Sequence, residues 1–203
     1  MRALIDSTLG AWRLWRDALE WRSRGFAAPS PDRIKRAVLL RHHLSDATWV
    51  ETGTYRGETT AVLARVARHV VSLEPEPALY EAARQRFANT PNVELVNATS
   101  EAAFPTLLPR LEGSLCFWLD GHFSGGPTFK GPNDTPILQE LEQIAAQLPR
   151  WPQVAVLVDD LRLFTGQVHA YGPYPPLGTL VQWAERHALA WHIEHDIFVA
   201  RRG

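Results

Sequence analysis

Unbroken apolar runs, rather than strict alternation, mark the last three quarters of the chain. Leu115-Cys116-Phe117-Trp118-Leu119 and Val154-Ala155-Val156-Leu157-Val158 contain no polar position. Runs of this length read as strands buried on both faces of a parallel sheet. Further segments at Thr48–Glu51, His69–Glu74 and Val93–Val96 read as companion strands. Between them the pattern predicts helices over Glu58–Arg68, Pro77–Ala88, Glu101–Leu108, Thr135–Leu148 and Leu177–His187. Two short β segments, Trp191–Glu194 and Ile197–Ala200, are joined tightly through His195-Asp196, which predicts an antiparallel hairpin. Strands alternating with helices give a doubly wound α/β sheet, mostly parallel, with helices on both faces and the hairpin as an antiparallel edge.

The beginning of the chain has a different pattern. Leu4, Ile5, Leu9, Trp12, Trp15 and Leu19 recur at three- and four-residue steps, predicting a helix over roughly residues 3–24. Arg13, Arg16, Arg22 and Arg24 lie among the tryptophans. A Trp/Arg helix can rest on a membrane surface; packing on its own domain or on a second subunit is the reading preferred here, which makes this helix a candidate homo-oligomer contact. After Pro29 and Pro31 a second helix runs from Asp32 to about Leu44. The expected organisation is one domain over residues 1–203, with residues 1–45 as a helical segment and 46–203 as the α/β core.

Composition narrows the partners. The 203 residues carry a formal net charge of -1 and no long basic run, so a nucleic-acid partner is not expected. No apolar run reaches transmembrane length, and the N-terminus lacks the apolar stretch of a signal peptide, so no stable membrane insertion and a cytoplasmic location are expected. The single cysteine, Cys116, falls inside a strand and fits a reducing compartment.

Candidate chemistry gathers at the strand ends. The first strand meets Glu51-Thr52-Gly53-Thr54-Tyr55-Arg56-Gly57. Glycines here permit a sharp turn and close approach of the backbone to a ligand. Glu74 ends the second strand, where an acid accepts hydrogen bonds from ribose hydroxyls. A dinucleotide fits poorly: the central glycine of G-x-G-x-x-G is missing, and Glu51, expected to face the bound molecule, would repel a pyrophosphate. S-adenosylmethionine fits better, because it has a ribose, no phosphate, an amino group and a sulfonium charge.

On these residues the chain resembles the class I S-adenosylmethionine-dependent methyltransferases, whose first motif, E/D-x-G-x-x-x-G, is matched by Glu51, Gly53 and Gly57, and whose second-strand acid is matched by Glu74. The resemblance covers about residues 47–201 and implies a Rossmann-like fold. It implies cofactor contacts from Glu51, Gly53, Thr54, Tyr55, Gly57 and Glu74. Many members contact adenine with an acid after the third strand; here the stretch is Asn97-Ala98-Thr99-Ser100, leaving a Thr99 or Ser100 hydroxyl, or a backbone amide, for that contact.

A narrower resemblance is to the cation-dependent small-molecule O-methyltransferases of the catechol and macrolide-sugar type. These carry one acid after strand four and a pair after strand five, matched by Asp120, Asp159 and Asp160. Oxygen ligands suit Mg2+, or Mn2+ or Ca2+, and such an ion lowers the pKa of a bound substrate hydroxyl. Asp120 is expected to face the cofactor as well. His122 is the candidate general base; a loop hydrogen bond or metal ligation are its other readings. Lys130 on the same loop is the reserve base. The loops at 121–133 and 162–176, rich in glycine and proline, are expected to cover a small-molecule acceptor, with His169, Tyr171 and Tyr174 offering aromatic faces. His42, His43, His192 and His195 show no evident ligand partners in the sequence.

These residues lead to an expected metal-assisted O-methylation of a small hydroxylated metabolite, such as a sugar, polyketide or other secondary metabolite. The alternatives are a metal-independent methyltransferase, and a non-catalytic adenosyl-ligand binder or assembly protein of the same fold.

Overall fold

The computed structural model describes residues 16–121, 135–169 and 172–202. Seven strands form one sheet: β1 (Thr48–Thr52), β2 (His69–Leu73), β3 (Val93–Val96), β4 (Leu115–Leu119), β5 (Val154–Val158), β8 (Ala190–Glu194) and β9 (Ile197–Arg202). Their order is β3-β2-β1-β4-β5-β9-β8. The first five are mutually parallel, and β9 runs antiparallel to both β5 and β8. This is the Rossmann-like, mostly parallel sheet that the apolar runs predict. Because β1 connects outward to β2 and β3 while the chain later returns to place β4 on its other side, the order reverses between β1 and β4.

Seven α-helices are described: α1, helical over residues 16–23, α2 (Asp32–Arg41), α3 (Glu58–Leu63), α4 (Pro77–Arg86), α5 (Ser100–Leu107), α6 (Ile137–Gln147) and α7 (Leu177–Arg186). None is long and apolar enough to cross a membrane. Successive strand residues point to opposite faces, so each apolar run feeds two cores. Leu115, Phe117 and Leu119, with Val154, Val156 and Val158, pack with Phe104 of α5, Ile144 of α6 and Leu180 of α7. Cys116 and Trp118, with Ala155 and Leu157, pack with Val38 and Leu39 of α2 and Leu63 of α3. Cys116 is fully buried at the centre of that second face, and burial pushes its thiol up to about 12.

Departures from the sequence pattern have local causes. β1 runs one residue further than expected, to Thr52, and β2 stops one earlier, at Leu73. Helix α3 stops at Leu63, well before Arg68: the Arg68 N–H donates to the Ala47 carbonyl at 3.1 Å, which sets the start of β2 beside β1. The stretch 162–176 is not simply an open loop. It carries a small antiparallel ribbon, β6 (Val168–His169) with β7 (Gly172–Pro173), and Tyr174 is buried edge-on against Phe164 at 5.3 Å. Tyr171 and the expected helical residues 3–15, with Trp12 and Trp15, lie outside the described residues.

The turn after β1 is fastened from below. Glu51 is 1 % exposed, and its Oε2 accepts hydrogen bonds from the Thr60 hydroxyl of α3 at 2.5 Å and the Ser72 hydroxyl of β2 at 2.6 Å. The Ser72 and Thr54 hydroxyls lie 2.6 Å apart. One carboxyl group thus ties strand, turn, helix and neighbouring strand together. Burial raises it to about 7, against the two hydroxyl bonds, which favour the charged form.

A carboxyl group raised in the folded state binds its proton more tightly there than in the unfolded chain. Its contribution is therefore most favourable below its unfolded value, declines as pH rises, and levels off above about 7. Urea unfolding of wild type and Glu51→Gln across that range should show it. The stability of wild type relative to the variant should fall by on the order of 3 kcal/mol as the group ionises. Parallel pH profiles for the two proteins would show that Glu51 does not titrate this way.

Candidate functional site

The carboxyl ends of the parallel strands meet at the reversal between β1 and β4, the place where open α/β sheets form a ligand crevice. Two turns touch there. Gly53 has φ +89°, and a Cβ on it would stand 2.9 Å from the Asp120 carbonyl oxygen. The Thr52 hydroxyl accepts the N–H groups of Asp120 and Gly121 at 3.2 and 3.1 Å. The side chain at 120 is thereby held to the end of β1 by its own backbone.

A cavity of about 370 Å³ opens at this place. Gly53, Thr54 and Tyr55 of the turn, Trp118 at the end of β4, and Asp120, Asp159 and Asp160 line it. Helix α2 closes another side with Lys35, Arg36 and Leu39. Of the candidate cofactor residues, four are therefore on the cavity: Gly53, Thr54, Tyr55 and Asp120. Gly57 sits beneath, as the N-cap of α3 with φ +71°, where a Cβ would meet the Phe87 ring at 2.6 Å.

Two acids expected to act on a ligand directly have internal partners. Glu51, expected to face the ligand, belongs to the buried hydroxyl network and is not among the lining residues. Desolvation opposes burying this carboxyl group, and the position is tenable because two hydroxyls meet it. Glu74 accepts the Tyr55 N–H at 2.7 Å and the Glu76 N–H at 3.0 Å, and burial raises its pKa. It holds Tyr55 in the left-handed conformation, φ 50°. Thr99 is the N-cap of α5 and Ser100 its first, buried residue; neither lines this cavity.

The acid pair after β5 is the largest surprise. Lys35 of α2 reaches across the cavity and donates from Nζ to Asp159 Oδ2 at 2.7 Å and Asp160 Oδ1 at 2.8 Å. Asp160 Oδ1 also accepts from Arg162 at 2.7 Å, and Asp159 Oδ1 accepts the Asp160 N–H at 2.7 Å. Burial alone would lower Lys35, but the two carboxylates outweigh it and hold the ammonium above its usual range. Burial also drives Asp159 upward, opposed by Lys35. The two tendencies conflict for one pair, since a firmly charged ammonium implies a charged carboxylate. Two bonds from one ammonium at 2.7 and 2.8 Å favour the ion pair.

The donor set does not fit a divalent ion as it stands. Asp120, Asp159 and Asp160 do not bring three ligand atoms within 4.8 Å of one another; among the described residues only His42, His192 and Glu194 do so. Of the three aspartates expected to hold a metal, Asp159 and Asp160 share the Lys35 ammonium in this arrangement. Sequence reasoning missed Lys35 because nothing in its spacing links it to residues more than a hundred positions away. The two candidate bases, His122 and Lys130, lie outside the described residues.

No family model matches the sequence, and no curated protein matches it. Solved structures do resemble the fold. The chain is similar to the N-methyltransferase NodS from Bradyrhizobium japonicum WM9, with TM-score 0.55 and 14% identity over 84% of this chain and 94% of that one. It is similar to precorrin-6y C5,15-methyltransferase from Geobacter metallireducens GS-15, with TM-score 0.54 and 15% identity over 82% and 85%. It is also similar to the 23S rRNA methyltransferase ErmE, with TM-score 0.53 and 20% identity over 84% and 67%. At these identities the likeness establishes a shared fold, the Rossmann-like sheet of methyltransferases.

Proposed function

We propose that the chain is an S-adenosylmethionine-dependent methyltransferase acting on a hydroxyl of a small molecule, with Lys35 in place of a divalent cation. The observation that carries this reading is the cavity at the β1/β4 reversal, with the Gly53 turn on one side and the Lys35–Asp159–Asp160 cluster on the other. Its volume of about 370 Å³ is in the range of small-molecule sites. Five carboxylates line it (Asp32, Glu58, Asp120, Asp159 and Asp160) against three cations (Lys35, Arg36 and Arg56), an excess of negative charge that disfavours a phosphate backbone and supports a small acceptor over a nucleic acid like that named for ErmE.

The residues divide the work by chemistry. The backbone of Gly53–Tyr55 lies close enough for a nucleoside ligand to rest on it, and Asp120 offers its carboxylate to the ligand's positive amino end. Glu74 uses two of its roughly four acceptor positions on Tyr55 and Glu76, leaving others for ribose hydroxyls. We assign the adenine contact to Thr99, Ser100 or their backbone, beyond the lining of the cavity itself. Bound there, S-adenosylmethionine supplies a methyl group already activated by its sulfonium. The acceptor hydroxyl needs to be held in line and relieved of its proton. We assign proton removal to His122, with Lys130 in reserve. Lys35 fixes Asp159 and Asp160 and places a positive charge beside the acceptor oxygen. Metal-assisted transfer, through Mg2+ at the same three aspartates, is the competing reading and requires Lys35 to leave the pair.

Calorimetry with S-adenosylhomocysteine in the presence of a chelator should show one binding site. Asp120→Asn should weaken that binding by on the order of 1.5–3 kcal/mol, the cost of a lost bond to a charged acceptor. Absence of binding to the folded wild type would remove the methyltransferase reading, and binding without turnover on any hydroxylated acceptor would leave a ligand-binding protein. Turnover itself should be indifferent to chelation; activity abolished by a chelator and restored by Mg2+ would establish the metal-assisted route instead. His122→Ala should lower turnover by roughly 100-fold or more while S-adenosylhomocysteine affinity is preserved. Undiminished turnover in that variant would pass the role to Lys130.

A further inference from the structure

On the opposite end of α2 from the Asp32 turn, three side chains from distant parts of the sequence converge. His42 follows the last residue of α2, and His192 and Glu194 are two apart on β8, the edge strand of the sheet. Residues two apart on a strand share a face. The Nε2 atoms of His42 and His192 lie 3.1 and 3.7 Å from the same oxygen, Oε2 of Glu194. The imidazole rings stand 5.1 Å apart, centroid to centroid. Each residue presents one ligand atom, all within 4.8 Å of one another.

We infer that His42, His192 and Glu194 form a binding site for a borderline transition-metal ion, Zn2+ in the first instance. The donor set is two imidazoles and one carboxylate, which suits Zn2+ with water in the fourth position and suits Mg2+ or Ca2+ poorly. Tetrahedral ligands at roughly 2.0–2.2 Å from zinc lie about 3.4 Å from one another. The present separations of 3.1 and 3.7 Å straddle that spacing, so small side-chain movements complete the geometry. His42 is 6 % exposed and its Nδ1 finds no hydrogen-bond partner among the described residues, so the hydrogen bond to Glu194 does not exhaust its chemistry. His192, nearly half exposed, leaves an entry path from solvent.

Charge around the site sets its strength. Arg41 pairs with Oε1 of Glu194, and Arg201 lies close enough to act on His42. The Arg41 side chain is 58 % exposed and can swing into water when a cation arrives. The site joins the C-terminal end of α2 to the sheet edge. Because α2 also carries Lys35, an ion here would fix the helix that closes the functional cavity. The inference stands on these three side chains and does not rest on the proposed methyl transfer.

The test is a titration of the metal-free full chain with Zn2+, followed by calorimetry and by melting temperature, with His192→Gln and Glu194→Gln alongside wild type. Both substitutions are at an edge strand and leave buried His42 in place. Wild type should bind one ion with micromolar or tighter affinity and melt at higher temperature with it. Each variant should lose at least tenfold in affinity and most of the thermal shift. Co2+ in place of zinc should give the intense visible absorption of a four-coordinate ion in wild type only. Absence of binding to wild type overturns the site. Undiminished affinity in both variants also overturns it, by showing that the ion is held elsewhere, for example at Asp120, Asp159 and Asp160.

Discussion

One buried carboxyl group conditions the geometry of the cavity. Glu51 sits at the end of a central strand, out of water, where an unpartnered charge would be prohibitive. The Thr60 and Ser72 hydroxyls make the position tenable, and in doing so they fix the helix after the turn and the strand beside it. Thr54 joins through Ser72. The turn above is then shaped by contacts from both sides: Glu74 holds the Tyr55 amide, and the glycine at 53 allows the Asp120 turn to come into contact. Removing any one of these groups loosens a surface that lines the cavity, although the acid itself is not on that surface.

A second constraint comes from outside the α/β core. Helix α2 packs Val38 and Leu39 into the core beneath β4 and β5, which brings Lys35, one turn back, over the ends of those strands. The hydrophobic face fixes the helix and the ion pairs then finish its register. Two carboxylates that would repel one another if left bare are neutralised by Lys35 and Arg162, from opposite sides in sequence. The rim is therefore electrostatically closed by the protein's own cations.

Much of this was legible in the sequence, for definite reasons. Runs such as Leu115–Leu119 and Val154–Val158 admit almost no other reading than doubly buried strands, and they are found with those bounds. The strand-end position of Asp120, Asp159 and Asp160 follows directly. What those acids touch does not follow, because a partner such as Lys35 is supplied by tertiary packing and leaves no periodic trace. His42 was equally opaque: its neighbours on β8 arrive only when the antiparallel edge strand is laid beside the end of α2. The strand position of Glu51 is legible, but its hydroxyl partners are not, since strand alternation near a terminus does not tell whether a polar group faces a cavity or a buried pair of hydroxyls.

The position of Cys116 has a practical side. It is the chain's only cysteine, at full burial in the middle strand of the sheet, between Trp49 and Ala155 in the pairing register. Its thiol is held protonated, and a protonated, enclosed sulfur is a poor nucleophile. The folded protein should therefore ignore alkylating reagents and peroxide, while the opened chain reacts. The sheet carries its own chemical clock: the rate at which this one sulfur is modified measures how often the centre of the fold opens, with no engineered probe needed.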